Sequence, residues 1–67
     1  MPADLLPATL HEQIAEIERE LGQRARVYPR LIASKKLSPD AADRQNRRLQ
    51  AAAATLRRLQ QTERQEP

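Results

Sequence analysis

The sequence predicts an all-α protein folded as an antiparallel two-helix hairpin. Two long segments repeat their apolar residues at alternating steps of three and four, which is the spacing of one side of an α-helix. Each segment opens with a helix-start pattern, Thr-Leu-His-Glu in the first and Ser-Pro-Asp in the second. Because only a few residues join the two segments, we expect the helices to fold back against each other.

The first helix is predicted over residues 9–34. Thr9 and Glu12 have the three-residue spacing of a capping box, in which each side chain bonds to the other residue's backbone amide. The apolar side of this helix begins with Leu10, Ile14, Ile17 and Leu21. The same count continues to Arg24, Tyr28, Leu31 and Lys35, so this side becomes polar and basic in its second half.

Two residues within the first helical pattern, Gly22 and Pro29, weaken a helix. Proline lacks an amide donor, and its ring here would crowd the carbonyl of Ala25. We therefore expect a helix that is kinked and continues to Ser34. The alternative is a helix that ends near Val27.

The second helix is predicted over residues 39–62, after a connection at residues 35–38. Ser38 offers an N-cap hydroxyl, Pro39 suits the first helical position, and Asp40 places an acid in the first turn. The inner side of this helix is predicted to consist of Ala42, Gln45, Leu49, Ala52, Leu56 and Leu59.

Residues 1–8 are predicted to form a flexible N-terminal arm, and residues 63–67 to fray. Between these ends, the fold brings together residues whose numbers sum to about 73. The predicted pairs are Ile14 with Leu59, Ile17 with Leu56, Leu21 with Ala52, and Tyr28 with Gln45. The same register sets Glu16 near Arg57, which is an opposite-charge match.

A chain of 67 residues without cysteine has few means of stabilising a core alone. A single hairpin buries only the seam, the strip of side chains between its two helices, and leaves other apolar side chains exposed. We therefore expect copies to assemble into a homo-oligomeric helical bundle, with contacts through Val27, Ile32 and the alanine run. No apolar run approaches the ~20 residues of a membrane span, and the N-terminus lacks a basic leader. We therefore expect a soluble, cytoplasmic protein that does not contact membranes.

The net charge of +3 is unevenly distributed along the chain. Residues 1–20 carry one base and five acids, whereas residues 21–50 carry eight bases and two acids. The end at which the hairpin folds back is therefore expected to be basic and to attract anionic partners.

The residue types that most enzyme sites need are missing or isolated in this sequence. There is one histidine, no cysteine, no glycine-rich phosphate loop and no carboxylate pair in an apolar setting. His11 falls in the first helical turn, where we expect a solvated surface residue. We expect neither an enzyme nor a metal site, and no cofactor.

A candidate anion-binding site lies where the chain folds back. Its predicted members are Arg24, Tyr28, Arg30, Lys35, Arg44, Gln45 and Arg48. Arginine forks match phosphate geometry, a tyrosine ring can stack on a base, and a helix start attracts anions. A purely structural role is the alternative, with the pairs Arg24–Glu20, Arg44–Asp40 and Arg47–Asp43 and a hydrogen bond between Tyr28 and Gln45.

The run from Arg24 to Arg30 reads Arg-Ala-Arg-Val-Tyr-Pro-Arg, and an alanine- and arginine-rich helix follows it. This R-x-x-V-Y-P-R element between two helices resembles short uncharacterised helical proteins encoded by phages and prophages. The resemblance covers residues 12–60 and implies a phage or mobile-element context. Small proteins in that context often act against host defence by binding a host protein or by sequestering a nucleotide signal.

Three functions fit these observations. The first is a homo-oligomer whose basic end binds a small anionic ligand, such as a nucleotide messenger, without turning it over. An alternative is an interaction protein that docks on a host or phage protein and modulates it. Nonspecific, salt-sensitive nucleic-acid binding is weaker, since the net charge is modest and the chain has one aromatic residue.

Overall fold

The computed structural model describes residues 8–65, with side chains for residues 8–63. Helix α1 spans Leu10–Ala33, and helix α2 spans Pro39–Gln65. The described residues contain no strand, and the two helices pack against each other as an antiparallel hairpin. The body measures 50 × 26 × 14 Å, so it is a single layer of two helices. The predicted all-α hairpin is confirmed.

Helix α1 begins with the predicted capping box. The Thr9 amide donates to Glu12 Oε1 at 2.9 Å, and the Glu12 amide donates to Thr9 Oγ1 at 3.1 Å. These two bonds satisfy donors that an open helix start would leave unpaired. The bond from the Thr9 backbone, helped by the Thr9 hydroxyl, lowers the pKa of Glu12 below its ordinary value.

Helix α1 continues through Pro29 and ends at Ala33, so the alternative end near Val27 is wrong. A Schellman motif closes it: the Lys36 amide bonds to the Leu31 carbonyl at 2.9 Å, and the Lys35 amide to the Ile32 carbonyl at 3.0 Å. Lys35 has φ +64°, in the left-handed region that usually takes glycine. The turn therefore carries a small conformational strain at a lysine.

Helix α2 begins as its sequence predicts. The hydroxyl of Ser38 accepts the Ala41 amide at 3.1 Å, which is the N-cap bond expected of a serine. Pro39 is the first helical residue, where its missing amide costs no hydrogen bond. The helix reaches Gln65, beyond the predicted end at Thr62.

The structure describes too few residues at the two ends of the chain to test most of what was predicted there. The predicted flexible arm lies almost wholly outside the described residues. In the predicted frayed tail, residues 63–65 are helical, and the rest lies outside the described part. No helix among the described residues combines the length and apolar character that a membrane crossing requires.

The seam between the helices contains three buried hydrophobic residues, Ile14, Ala42 and Ala53. The predicted inner side of α2 is wrong in part: Gln45, Ala52 and Leu59 are exposed, and Leu59 keeps 51 % of its surface. The side that faces α1 instead follows Ala42, Asn46, Leu49, Ala53, Leu56 and Gln60.

A physical reason explains this shift of the seam. Residues 51–54 are all alanine, so their hydrophobic pattern cannot indicate which of them faces the partner helix. Packing decides the choice, because two helices approach closely only where one small residue sits directly between them. Ala53 is that residue, with 1 % of its surface exposed.

The predicted match between Glu16 and Arg57 is also wrong. Arg57 pairs with Glu18 across the two helices, and Glu16 pairs with Arg19 in its own helix. The hydrogen bond to Glu16 raises the pKa of Arg19. Glu16 and Glu18 are about 200° apart around α1, so the register sets their level along the helix but not the side to which each carboxylate points.

Candidate anion-binding site at the basic end

Arg24 links the two helices at the end where the chain folds back, which we call the basic end (residues 24–48). Its Nε lies 3.1 Å from Glu20 Oε2 on the preceding turn of α1. Its Nη1 donates to the Gln45 carbonyl at 3.2 Å and lies 3.4 Å from Asn46 Oδ1. The side chain is 20 % exposed. Arg24 is thus a clamp between α1 and α2 as well as a surface cation.

Tyr28 lies one turn further along α1 and joins the same network. Its hydroxyl donates to Gln45 Oε1 at 2.8 Å. The guanidinium carbon of Arg24 lies 5.5 Å from the centre of the Tyr28 ring, within the range of a cation–π contact. One face of the ring therefore meets a cation of the same chain.

Three of the seven predicted site residues, Arg24, Tyr28 and Gln45, are thus brought together in one network between the helices. Asn46 completes this network and was missed in the sequence, where an asparagine next to a seam position gives no distinctive signal. The structural alternative accounts for much of what is seen here. Its pairs Arg24–Glu20 and Arg47–Asp43 are both present, the latter at 3.0 Å.

The other four predicted site residues, Arg30, Lys35, Arg44 and Arg48, are exposed. Arg30 lies in the last turn of α1 and Lys35 in the connecting turn, while Arg44 and Arg48 are one turn apart on α2. Within residues 8–63, none of these four side chains forms an ion pair, and the predicted Arg44–Asp40 pair is not formed. The same is true of Arg26 and Lys36 in that part of the chain.

The positive charge of the basic end comes from side chains rather than from the helix start. The carboxyl end of α1 lies beside the amino end of α2, so the two helix dipoles oppose each other there. Ser38 already accepts one of the first amides of α2, and Pro39 has none to give. The predicted contribution of the helix start is therefore small.

A shallow groove lies at the opposite, open end of the hairpin. Its floor includes Ile17 and Leu56, and its lining also includes Ala8, Glu12, Gln13 and Glu16. The side chain of Gln13 donates to the Ala8 carbonyl at 2.7 Å, which fixes one edge. The groove combines an apolar floor with a carboxylate rim, so it differs in charge from the basic end.

Among the described residues, no three histidine, cysteine, aspartate or glutamate side chains gather in a metal-binding group. We compared the chain with protein-family models, with curated proteins and with solved structures, and none of these comparisons found a match.

Proposed function

We propose that this chain is a non-catalytic binding protein whose basic end holds an anionic ligand that carries phosphate groups. One observation carries the proposal: six cations of residues 24–48 form no ion pair within the described side chains, and all six are exposed. They are Arg26, Arg30, Lys35, Lys36, Arg44 and Arg48. Unneutralised like charges concentrated at one end of the hairpin make the local potential positive, so an anion that binds there is stabilising.

The framework beneath these cations is suited to hold a ligand. The Schellman turn and the Arg24–Gln45 bond fix the two helices relative to each other. Arg30, Lys35, Arg44 and Arg48 supply the phosphate contacts, because guanidinium groups bind phosphate in a bidentate manner. Arg24 covers one face of the Tyr28 ring, and a base of a nucleotide ligand would stack on the other face.

The test is a binding titration with inorganic phosphate, pyrophosphate, and linear and cyclic nucleotides. We expect saturable binding of at least one nucleotide, with strong weakening in an Arg44→Gln/Arg48→Gln variant. Arg58→Gln is the matched control, since Arg58 is an exposed arginine of α2 outside the basic end. Absence of saturable binding across the set, or equal binding by the double variant and the control, contradicts the proposal. Binding to any DNA sequence that disappears at about 0.15 M salt would instead favour nonspecific charge contacts.

Self-association is part of the proposal. Among the described residues, the seam buries three hydrophobic side chains, and larger ones such as Ile17, Leu21, Leu49 and Leu56 are half-buried. A core this small rarely holds a domain together, and a second copy would cover more apolar surface. Native mass spectrometry of the full chain reports the number of subunits, and a retained ligand adds its own mass.

Docking on another protein is a second candidate, favoured by one observation. Val27 is 43 % exposed and lies between the exposed arginines Arg26 and Arg30 along α1. Apolar side chains next to arginines are typical of the centre of a protein interface. Charge reversal of both arginines should abolish the binding of an acidic partner protein, while leaving the fold intact.

The phage resemblance gives the proposal its biological setting. In that setting the protein would act inside the host cell, where it would sequester a nucleotide signal of host defence. Infection or plasmid-challenge assays with the Arg44→Gln/Arg48→Gln variant test this setting. Protection by the variant equal to that of the unmodified chain contradicts it.

A further inference from the structure

Within residues 8–65, both broad faces of the hairpin are uncovered, because two helices form only one layer, 14 Å thick. Soluble domains usually pack at least two layers of secondary structure around a core. The two faces differ in their side chains. One is spanned by the Glu18–Arg57 ion pair, and the other carries the groove with Ile17 and Leu56 on its floor.

The two large hydrophobic residues that stay most exposed in the described part lie on the groove side. Val27 follows Glu16 by eleven residues, or about three turns, so the two point in nearly the same direction. Leu59 follows Leu56 by three residues and lies one turn further along α2. We call this surface the Val27 face: Val27, Leu59, Ile17 and Leu56, with Glu12 and Glu16 at its rim.

We propose that a second copy of this chain packs antiparallel on the Val27 face, about a two-fold axis at the level of Ala52. This inference rests on the proposed self-association and defines its geometry. The broad side of the hairpin that contains this face measures 50 by 26 Å, which leaves room for the ~800 Å² per partner that a stable dimer usually buries. The result is a four-helix bundle.

Charge determines the orientation of the two copies. Residues 21–50 carry eight bases and two acids, so a parallel dimer would place two strongly basic ends side by side. Such like-charge contact is repulsive, whereas the antiparallel arrangement keeps the two basic ends at opposite ends of the bundle. Each basic end then lies over the half of the other copy that carries Glu12 and Glu16.

The level of each residue follows from the Tyr28–Gln45 hydrogen bond. Ala52 lies seven residues beyond Gln45, and Leu21 lies seven before Tyr28, so Leu21 and Ala52 share one level. An axis at that level places Val27 between Glu12 and Glu16 of the second copy.

Ala51 and Ala52 provide a matched test. Both are exposed, and the chain has no cysteine of its own that would react with a cross-linker. Ala52 points toward the Val27 face at the two-fold axis, whereas Ala51 is turned about 100° further toward solvent. A short bismaleimide cross-linker is added to Ala52→Cys and to Ala51→Cys. Sedimentation equilibrium measures the mass of the unmodified chain and of Val27→Asp.

We expect a dimer mass for the unmodified chain, a shift to the monomer mass for Val27→Asp, and cross-linked dimer for Ala52→Cys well above the level for Ala51→Cys. A monomer mass at all concentrations overturns both the self-association and this inference. A dimer mass with equal cross-linking of the two cysteine variants overturns the proposed face and axis but not the self-association. The cysteine comparison holds even if Val27→Asp fails to fold, since both alanines are exposed.

Discussion

The hydroxyl of Tyr28 on α1 donates a 2.8 Å hydrogen bond to the side-chain carbonyl of Gln45 on α2. This contact fixes the level of one helix against the other at the basic end. The pairing was predicted from the sequence by folding the chain about its connection. It also means that the only aromatic residue of the chain has a structural partner, whatever else it binds.

Replacement of Tyr28 by phenylalanine removes this hydrogen bond and keeps the ring beneath Arg24. We expect the free energy of unfolding to fall by about 0.5–1 kcal/mol, the usual net contribution of such a bond at a partly exposed site. Urea denaturation followed by circular dichroism measures the change. In a double-mutant cycle with Gln45→Leu, the second substitution should cost less in the Tyr28→Phe background; additive losses would contradict the contact.

Arg24→Lys tests the interhelical clamp. Lysine keeps the charge but lacks the planar fork that reaches Glu20, the Gln45 carbonyl and Asn46 together. We expect a loss of about 1–2 kcal/mol of stability in urea denaturation, given hydrogen bonds to a charged group. Arg26→Lys is the control, because Arg26 is exposed and should tolerate the change. Equal effects of the two substitutions would show that Arg24 is not a clamp.

Lys35→Gly should stabilise the protein. Lys35 has φ +64°, where a side chain costs energy and glycine does not, so we expect a gain of about 0.5–1 kcal/mol. Lys36→Gly provides the matched comparison at the next residue, which does not have positive φ, and it should be neutral or destabilising. Thermal unfolding of both variants decides the point. Under the proposed function, Lys35→Gly should also weaken the binding of the anionic ligand, because it removes a phosphate contact.

Ala53→Leu tests the corrected seam. A larger side chain at this buried position should force the helices apart and cost about 1–3 kcal/mol. Ala51→Leu, two residues away and exposed, should have little effect, because leucine is also a good helix former. If Ala52→Leu destabilised the protein and Ala53→Leu did not, the seam predicted from the sequence would be right and the corrected one wrong.

The capping box makes part of the stability depend on pH. The Thr9 backbone and hydroxyl lower the pKa of Glu12 in the folded chain, so folding favours the charged carboxylate. The stability that the charged Glu12 contributes is therefore fully present above pH 4.5, the ordinary pKa of the group. It is lost as the pH falls through the lower pKa that Glu12 has in the folded chain. Urea denaturation across that range should show a smaller acid-induced loss in Glu12→Gln than in the unmodified chain. Glu63→Gln, in the last part of α2, is the control and should lose as much stability in acid as the unmodified chain does.

Local chemistry determined the helices from the sequence alone. Thr9 with Glu12 and Ser38 with Pro39 bond to amides within one turn, so their effect needs no other part of the chain. The level at which Tyr28 meets Gln45 followed from the short connection. The continuation of α1 through Pro29 was the favoured expectation, since one lost hydrogen bond is a small part of a helix of 24 residues.

Only the tertiary structure decided which face of α2 is inside and which partners the charges take. Four consecutive alanines give no pattern to choose from, and the close approach of α1 selected Ala53. Glu18 rather than Glu16 binds Arg57, because the two carboxylates are about 200° apart around α1 and only Glu18 points to the side of the hairpin on which Arg57 lies. Arg24 was predicted as a ligand contact and is also an interhelical clamp, since its partners Gln45 and Asn46 are distant in sequence and become neighbours only when the hairpin closes.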